Sequence, residues 1–141
     1  MAEEVDLDFP ATTRGLQTAL QAIETACTGW EITPDIVARA RVVFEELFTN
    51  TVKYGYGGEC ERPIWLRIAG SGGILCLTYE DEGPTFDPTR WKPEEPVASP
   101  LDNTREGLSG IAMVLGLSKT AAYARLADRN RITIMLSPEM H

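Results

Sequence analysis

One segment, from Phe44 to Tyr54, combines a carboxylate, an amide and a cation with the apolar spacing of a helix. Glu46, Asn50 and Tyr54 are four positions apart, so an α-helix would place them in one row on one face. Such a row is a poor core-facing stripe, and one interpretation is a solvated polar face. The other is the edge of a site that needs a proton acceptor beside an oxygen ligand, with Lys53 as a nearby cation.

A second candidate lies directly after a predicted strand, where Asp81 is followed two positions later by Gly83. A fixed carboxylate accepts hydrogen bonds, so it could bind an exocyclic amino group such as that of adenine. The glycine would let a flat ligand approach the backbone. An ordinary acidic turn has the same composition, so this pair alone leaves both interpretations open.

A third candidate is the pair Gly107 and Gly110, just before an apolar segment predicted as a short helix. Free N–H groups at a helix start bind phosphate well, and glycines let the chain approach it closely. A flexible loop that ends at a helix shows the same pattern, so this motif is also undecided by itself.

The apolar pattern predicts the elements that must position these candidates. A first strand ends at Pro10, and a helix over 14–28 follows, capped by Thr12 or Thr13. A second helix, over 35–54, begins at Thr33-Pro34 and carries the first candidate. Its predicted inner stripe is Ile36, Ala40, Val43, Leu47 and Thr51.

The remaining elements are two strand pairs and a long loop. Strands over 64–69 and 74–80 are joined by the hairpin signal 70–73, and the last pair covers 120–126 and 131–136. Between them, 83–107 holds five prolines, which is typical of a functional or disordered loop. The order predicts an α/β two-layer sandwich, a mixed and mostly antiparallel sheet covered on one face by helices.

The length, composition and charge of the chain exclude several classes of partner and of chemistry. A chain of 141 residues with 43% hydrophobic residues fits one globular domain, 1–141. The net charge of −8, without a Lys/Arg cluster, argues against nucleic acid and anionic membranes as partners. We expect a cytoplasmic protein, because no basic leader or membrane-length apolar stretch is present. His141 is the only histidine, which excludes Ser–His pairs, histidine-based metal sites and phosphoryl transfer to an internal histidine.

The order of the three motifs resembles the histidine-kinase-like ATPase superfamily, and within it the anti-sigma-factor serine kinase branch. The segment from Glu46 to Tyr56 is similar to the first ATP box of that branch, and 81–88 is similar to its second. Tyr123, Arg125 and 130–134 resemble its closing strands, so the resemblance covers nearly the whole chain. The fold it implies is the sandwich above, with ATP between the helices and a lid over about 84–107.

The resemblance also implies roles at matching positions. Asn50 would give an oxygen to Mg²⁺, Glu46 would be the general base on a serine hydroxyl or water, and Lys53 would meet a phosphate. Asp81 would accept from the adenine amino group, with Gly83 opening room beside the ring. The implied ATP-binding set also includes Tyr54, Phe86, Arg105 in the lid, Gly107, Gly110 and Ile111.

The implied function is an ATP- and Mg²⁺-dependent serine/threonine kinase that phosphorylates an anti-sigma-antagonist protein, binds a sigma factor or similar regulator, and forms a homodimer. The third box departs from the family pattern, because Leu108 stands where the first glycine of a Gly-x-Gly would be. This departure supports an alternative, a non-catalytic nucleotide-binding or docking module that regulates a partner by binding alone. A sensor histidine kinase domain is a third alternative, weakened by the missing internal histidine and dimerisation helix.

Overall fold

A computed structural model describes residues 3–87, 114 and 116–138, and this part of the chain forms one sheet with two long helices. In chain order the elements are β1 (Glu3–Ala11), α1 (Thr13–Gly29), α2 (Pro34–Asn50), a π-helical segment (Thr51–Gly55), β2 (Cys60–Ser71), β3 (Ile74–Asp81), β4 (Thr120–Leu126) and β5 (Arg129–Leu136). Val114, Gly116 and Leu117 are helical, within the predicted helix over 110–117.

The five described strands pair in the order β1-β2-β3-β5-β4, and each of these pairings is antiparallel. The central strand β3 therefore has β2 on one side and β5 on the other. Its register with β5 places Asp81 opposite Asn130. The second candidate motif thus lies at the end of the central strand, beside the turn of the last hairpin.

The core lies between the helices and one face of the sheet. On β2, Ile64, Leu66 and Ile68 are buried while the alternating residues are half-buried or exposed, as expected where one sheet face is covered. Four members of the predicted stripe, from Ile36 to Leu47, lie on α2, and the fifth, Thr51, begins the π-helical segment; all five are buried. The prediction of a two-layer α/β sandwich is confirmed.

Local sequence signals explain where several elements begin and turn. Thr12 caps α1, because its hydroxyl oxygen accepts from the Gly15 N–H at 3.1 Å. Pro34 starts α2, where a missing N–H costs nothing. The β2–β3 hairpin turns at Gly72 and Gly73, whose φ angles of +60° and +82° only glycine adopts easily.

One prediction about the strands was wrong. The first strand continues to Ala11 instead of ending at Pro10, which lies opposite Pro63, and the register shifts just after this pair. An edge strand tolerates a proline, which has no N–H to donate. Trp65 lies on the uncovered face of the sheet, outside the core cluster.

Candidate functional site

The helix that carries Glu46 and Asn50 changes its geometry directly after Asn50. Over Thr51–Gly55 the backbone bonds widen: the Tyr56 N–H donates to the Thr51 carbonyl at 2.7 Å. Such π-helical turns are frequently found at functional sites. Glu46 and Asn50 share an α-helical row, as predicted. The prediction of one continuous α-helix to 54 was wrong, and the row does not extend to Tyr54.

The Asp81 carboxylate is buried and accepts three hydrogen bonds from the protein. Its Oδ1 accepts from the Gly83 N–H and from the Asn130 side-chain amide, both at 3.0 Å. Its Oδ2 accepts from the Thr51 hydroxyl at 2.6 Å. A carboxylate has about four acceptor positions, so one position on Oδ2 is left for a ligand.

The Thr51 hydroxyl links the end of α2 to the central strand. It lies 2.5 Å from the Tyr79 hydroxyl as well as 2.6 Å from Asp81. Since each hydroxyl has one proton, the consistent arrangement is that Tyr79 donates to Thr51 and Thr51 donates to the carboxylate. Burial raises the pKa of Tyr79 well above its usual value, so this hydroxyl stays protonated and able to donate.

Two backbones approach each other closely beside this carboxylate. A Cβ built on Gly83 would lie 3.1 Å from the Gly55 Cα and 3.4 Å from the Asp81 Oδ1. Gly83 therefore has little room for a side chain, because the Gly55 backbone would have to shift to admit one. Glycine at this position lets the segment after β3 pack directly on the end of the π-helical segment.

Tyr56 fixes the chain where it leaves this segment. Its hydroxyl donates to the Pro63 carbonyl at 2.6 Å and accepts from the Glu82 N–H at 2.9 Å. The Arg62 guanidinium lies 4.2 Å from the centre of its ring. Burial raises the pKa of Tyr56, so the bond to Pro63 persists at neutral pH. The Tyr56 side chain therefore joins Pro63 in β2 to Glu82, the residue after Asp81.

The structure brings together part of the predicted site. Asn50 precedes Thr51, which holds Asp81, so the first and second candidate motifs meet at this point. Glu46 and Asn50 are half-buried, and within residues 3–87, 114 and 116–138 neither side chain makes a hydrogen bond or ion pair. Lys53 is exposed and Tyr54 is half-buried.

Other predicted site residues lie at the edge of the described structure or outside it. Phe86 is 47% exposed, and its N–H donates to the Asn130 side-chain oxygen at 3.2 Å. Most of the predicted lid lies outside the described residues. The same applies to Arg105, Gly107, Leu108, Gly110 and Ile111.

Sequence reasoning missed three side chains that shape the Asp81 environment: Thr51, Tyr79 and Asn130. Thr51 was predicted only as part of the inner stripe, although a hydroxyl in an apolar stripe signals a buried hydrogen-bond partner. Asn130 was assigned to a turn and a closing strand, with no role. Its contact with Asp81 spans 49 positions and follows from strand register alone.

A cation bound near Asn50 would need further ligands from a bound phosphate compound and from water. Among the described residues no group of three or more His, Cys, Asp or Glu side chains could hold a metal ion. Mg²⁺ commonly takes one or two protein oxygens together with phosphate oxygens and waters. The Asn50 amide on a half-buried helix end fits that pattern.

A groove of about 390 Å³ lies on the uncovered face of the sheet. Its charges are largely satisfied by one another: Glu80 pairs with Arg129 at 3.3 Å and with Arg131 at 3.0 Å. Arg129 also stacks 3.3 Å from the centre of the Trp65 ring. The groove has no counterpart of the buried carboxylate at Asp81, so we regard the Asp81 end of the sheet as the candidate site.

Known proteins resemble this chain in sequence and in fold. A protein-family model described as histidine kinase-like ATPase domain matches residues 9–136. Two curated relatives are the anti-sigma F factors of Bacillus subtilis (strain 168) and Bacillus velezensis. Each is 24% identical over 83 residues, which is 59% of this chain and 57% of the relative. The match therefore spans little more than half the length of these relatives.

Two solved structures share the fold. The RsbU and RsbW domains of Rv1364c from Mycobacterium tuberculosis match 96% of this chain and 32% of theirs, with a TM-score of 0.66 and 16% identity. The SiaB–SiaC complex from Pseudomonas aeruginosa matches with a TM-score of 0.58 and 12% identity, over 94% of this chain and 88% of the matched chain. No helix in the described ranges is both long and apolar enough to cross a membrane.

Proposed function

This chain belongs to the family of histidine kinase-like ATPase domains, and on that premise we propose that it binds an adenine nucleotide at Asp81. The observation that carries the proposal is the Asp81 carboxylate, held by three protein donors with one acceptor position left on Oδ2. An amino group on a purine ring supplies the matching donor. The Gly83 backbone packs against the Gly55 backbone, and this contact holds the chain that follows Asp81 in place beside the carboxylate.

We assign the phosphate end of the nucleotide to the last turns of α2. Asn50 would supply its amide oxygen to Mg²⁺, and Lys53, which is exposed three residues past the end of α2, would approach a phosphate as a point charge. Held there, the ion would supply positive charge that offsets the charge of the phosphates. The segment that resembles the second ATP box begins at Asp81, and the hydrogen bond from Thr51 to Asp81 holds it beside the end of α2.

We further propose that the chain is a serine/threonine kinase of the anti-sigma type. Glu46 would be the base, since it lies one turn before Asn50 and has no described hydrogen bond or ion pair to hold its carboxylate elsewhere. Its carboxylate would take the proton of a serine hydroxyl while the serine oxygen bonds to the γ-phosphorus and ADP leaves. The serine would belong to an anti-sigma-antagonist protein, which the anti-sigma F relatives support.

The metal assignment is tested by Mg²⁺-ATP calorimetry on Asn50→Ala beside a Thr49→Ala control. Both substitutions shorten a half-buried side chain at the helix end, but only Asn50 carries the proposed ligand oxygen. We expect Asn50→Ala to abolish measurable binding and Thr49→Ala to retain it. Equal binding by the two variants would remove Asn50 from the metal site.

The base assignment is tested with Glu46→Ala. Because this carboxylate acts on the incoming hydroxyl and not on the nucleotide, the variant should bind Mg²⁺-ATP with near wild-type affinity and lose phosphate transfer to the partner. Glu45→Ala, a neighbour about 100° around the helix, is the matched control and should keep transfer. Transfer by Glu46→Ala at the wild-type rate would show that the base is elsewhere.

The second candidate function is a docking module that regulates a partner by binding without chemistry. The observation that favours it is Leu108 in place of a glycine in the third box. A pull-down of the antagonist partner with and without ATP, followed by phosphoserine detection, separates the two functions. Full complex formation with no phosphate on the partner would favour the docking module. The cytoplasmic location and the homodimer stay predictions.

A further inference from the structure

Asn130 stands opposite Asp81 at the start of β5, and its amide nitrogen binds both the carboxylate and the chain that follows it. The Nδ2 group donates to the Asp81 Oδ1 at 3.0 Å and to the Pro84 carbonyl at 2.8 Å. The Gly83 carbonyl lies 3.3 Å from the same nitrogen and shares its protons. Both amide protons are therefore used on the segment that forms the proposed base site.

The oxygen of the same amide is occupied as well. The Asn130 Oδ1 accepts from the Phe86 N–H at 3.2 Å and from the Tyr123 hydroxyl at 2.6 Å. A backbone N–H can only donate and backbone carbonyls can only accept, so these partners fix which side of the amide carries the nitrogen. Asn130 cannot flip without losing bonds on both sides.

We propose that Asn130 is a positioning residue for the base, a role that rests on the proposed nucleotide site. Asn130 holds Oδ1 of Asp81 while Thr51 holds Oδ2, so the plane of the carboxylate is fixed from both sides. The remaining acceptor position on Oδ2 then points in one direction. Arg125 supports the same segment by donating to the Gly83 carbonyl at 2.8 Å.

A fixed acceptor on Asp81 should affect which base is preferred more than it affects the affinity for nucleotides in general. A fixed Oδ2 acceptor rewards a base that carries an amino group, so ADP should bind better than inosine diphosphate, whose base carries a carbonyl oxygen at that position. Without Asn130 the carboxylate loses one of its three protein donors. The preference for ADP should then fall while the weaker binding of inosine diphosphate changes little.

The test is calorimetric binding of ADP and of inosine diphosphate to wild type and Asn130→Ala. We expect the ratio of the two Kd values to fall about tenfold, the effect of one hydrogen bond to a charged group. Asp128→Ala is the matched control, because Asp128 is exposed in the turn of the same hairpin. That variant should keep the wild-type ratio.

Two results would overturn the role of Asn130: an unchanged ratio in Asn130→Ala, or an equal loss of affinity for both nucleotides, which a purely structural residue would give. If Asn130→Ala does not fold, Asn130→Leu decides with the same ratio, because leucine is close to asparagine in shape, removes the donor and adds no charge beside Asp81. Failure of wild type to bind either nucleotide would instead refute the proposed function. If wild type binds ADP more tightly than inosine diphosphate, the proposed nucleotide site stands, and the Asn130 variant then tests the role of Asn130 alone.

Discussion

Replacing Thr51 with valine tests the hydrogen bonds that join α2 to the central strand. Valine has nearly the same shape, so the change removes the hydroxyl and leaves the packing of the stripe intact. The lost bond is the one to Asp81 at 2.6 Å, and hydrogen bonds to charged groups contribute about 1.5–3 kcal/mol. Tyr79 keeps an acceptor, because the Leu47 carbonyl lies 3.2 Å from its hydroxyl, so it adds little to the loss.

The expected decrease in the free energy of unfolding for Thr51→Val is therefore about 2 kcal/mol. With an m-value of about 2 kcal/mol per molar urea, the midpoint falls by about 1 M. Urea unfolding followed by tryptophan fluorescence measures it. Thr49→Val is the matched control, since within the described ranges the Thr49 side chain has no hydrogen-bond partner. A decrease for Thr51→Val no larger than that for Thr49→Val would refute the reasoning.

Three further predictions follow from burial and close packing. Because the pKa of Tyr79 is raised by burial, the folded state keeps a proton that the unfolded state releases near pH 10. The free energy of unfolding should therefore fall above about pH 10, by up to about 1.4 kcal/mol per pH unit, and Tyr79→Phe should flatten this decline in urea titrations. Gly83→Ala places a Cβ 3.1 Å from the Gly55 Cα and should lower stability by about 1–3 kcal/mol in urea unfolding, whereas Gly29→Ala meets nothing within 4 Å and should change it little. Cys27 is fully buried with its pKa raised to about 11, so it should resist a thiol reagent at pH 8 until the protein unfolds, as mass spectrometry of the labelled protein would show.

Much of the fold was predictable because its signals are local. The stripe on α2 repeats at helical spacing, and Gly72 and Gly73 supply the turn that a two-residue hairpin needs. The pairing of Asp81 with Gly83 was also visible as a short motif, and the Gly83 N–H does donate to that carboxylate. Such features depend on neighbours within a few positions along the chain.

The rest could not be predicted because it depends on contacts between distant segments. The alternating pattern of β2 identifies its two faces. It does not predict that Arg129 would cover Trp65 on the exposed face. The π-helical widening after Asn50 breaks the four-residue spacing on which the row to Tyr54 was based. Asn130 meets Asp81 only because β5 pairs with β3 in one particular register. A single sequence does not fix that register.

The central claim is that Asp81 binds the base of an adenine nucleotide, and ADP calorimetry on Asp81→Asn tests it most directly. The amide replaces an acceptor by a donor at nearly constant shape, and Asp8→Asn on the uncovered face of the sheet makes the same change at an exposed carboxylate. We predict that wild type and Asp8→Asn bind ADP with equal affinity, and that Asp81→Asn binds at least about tenfold more weakly while staying folded. Equal ADP affinity in all three proteins, or no binding by wild type, would contradict the account.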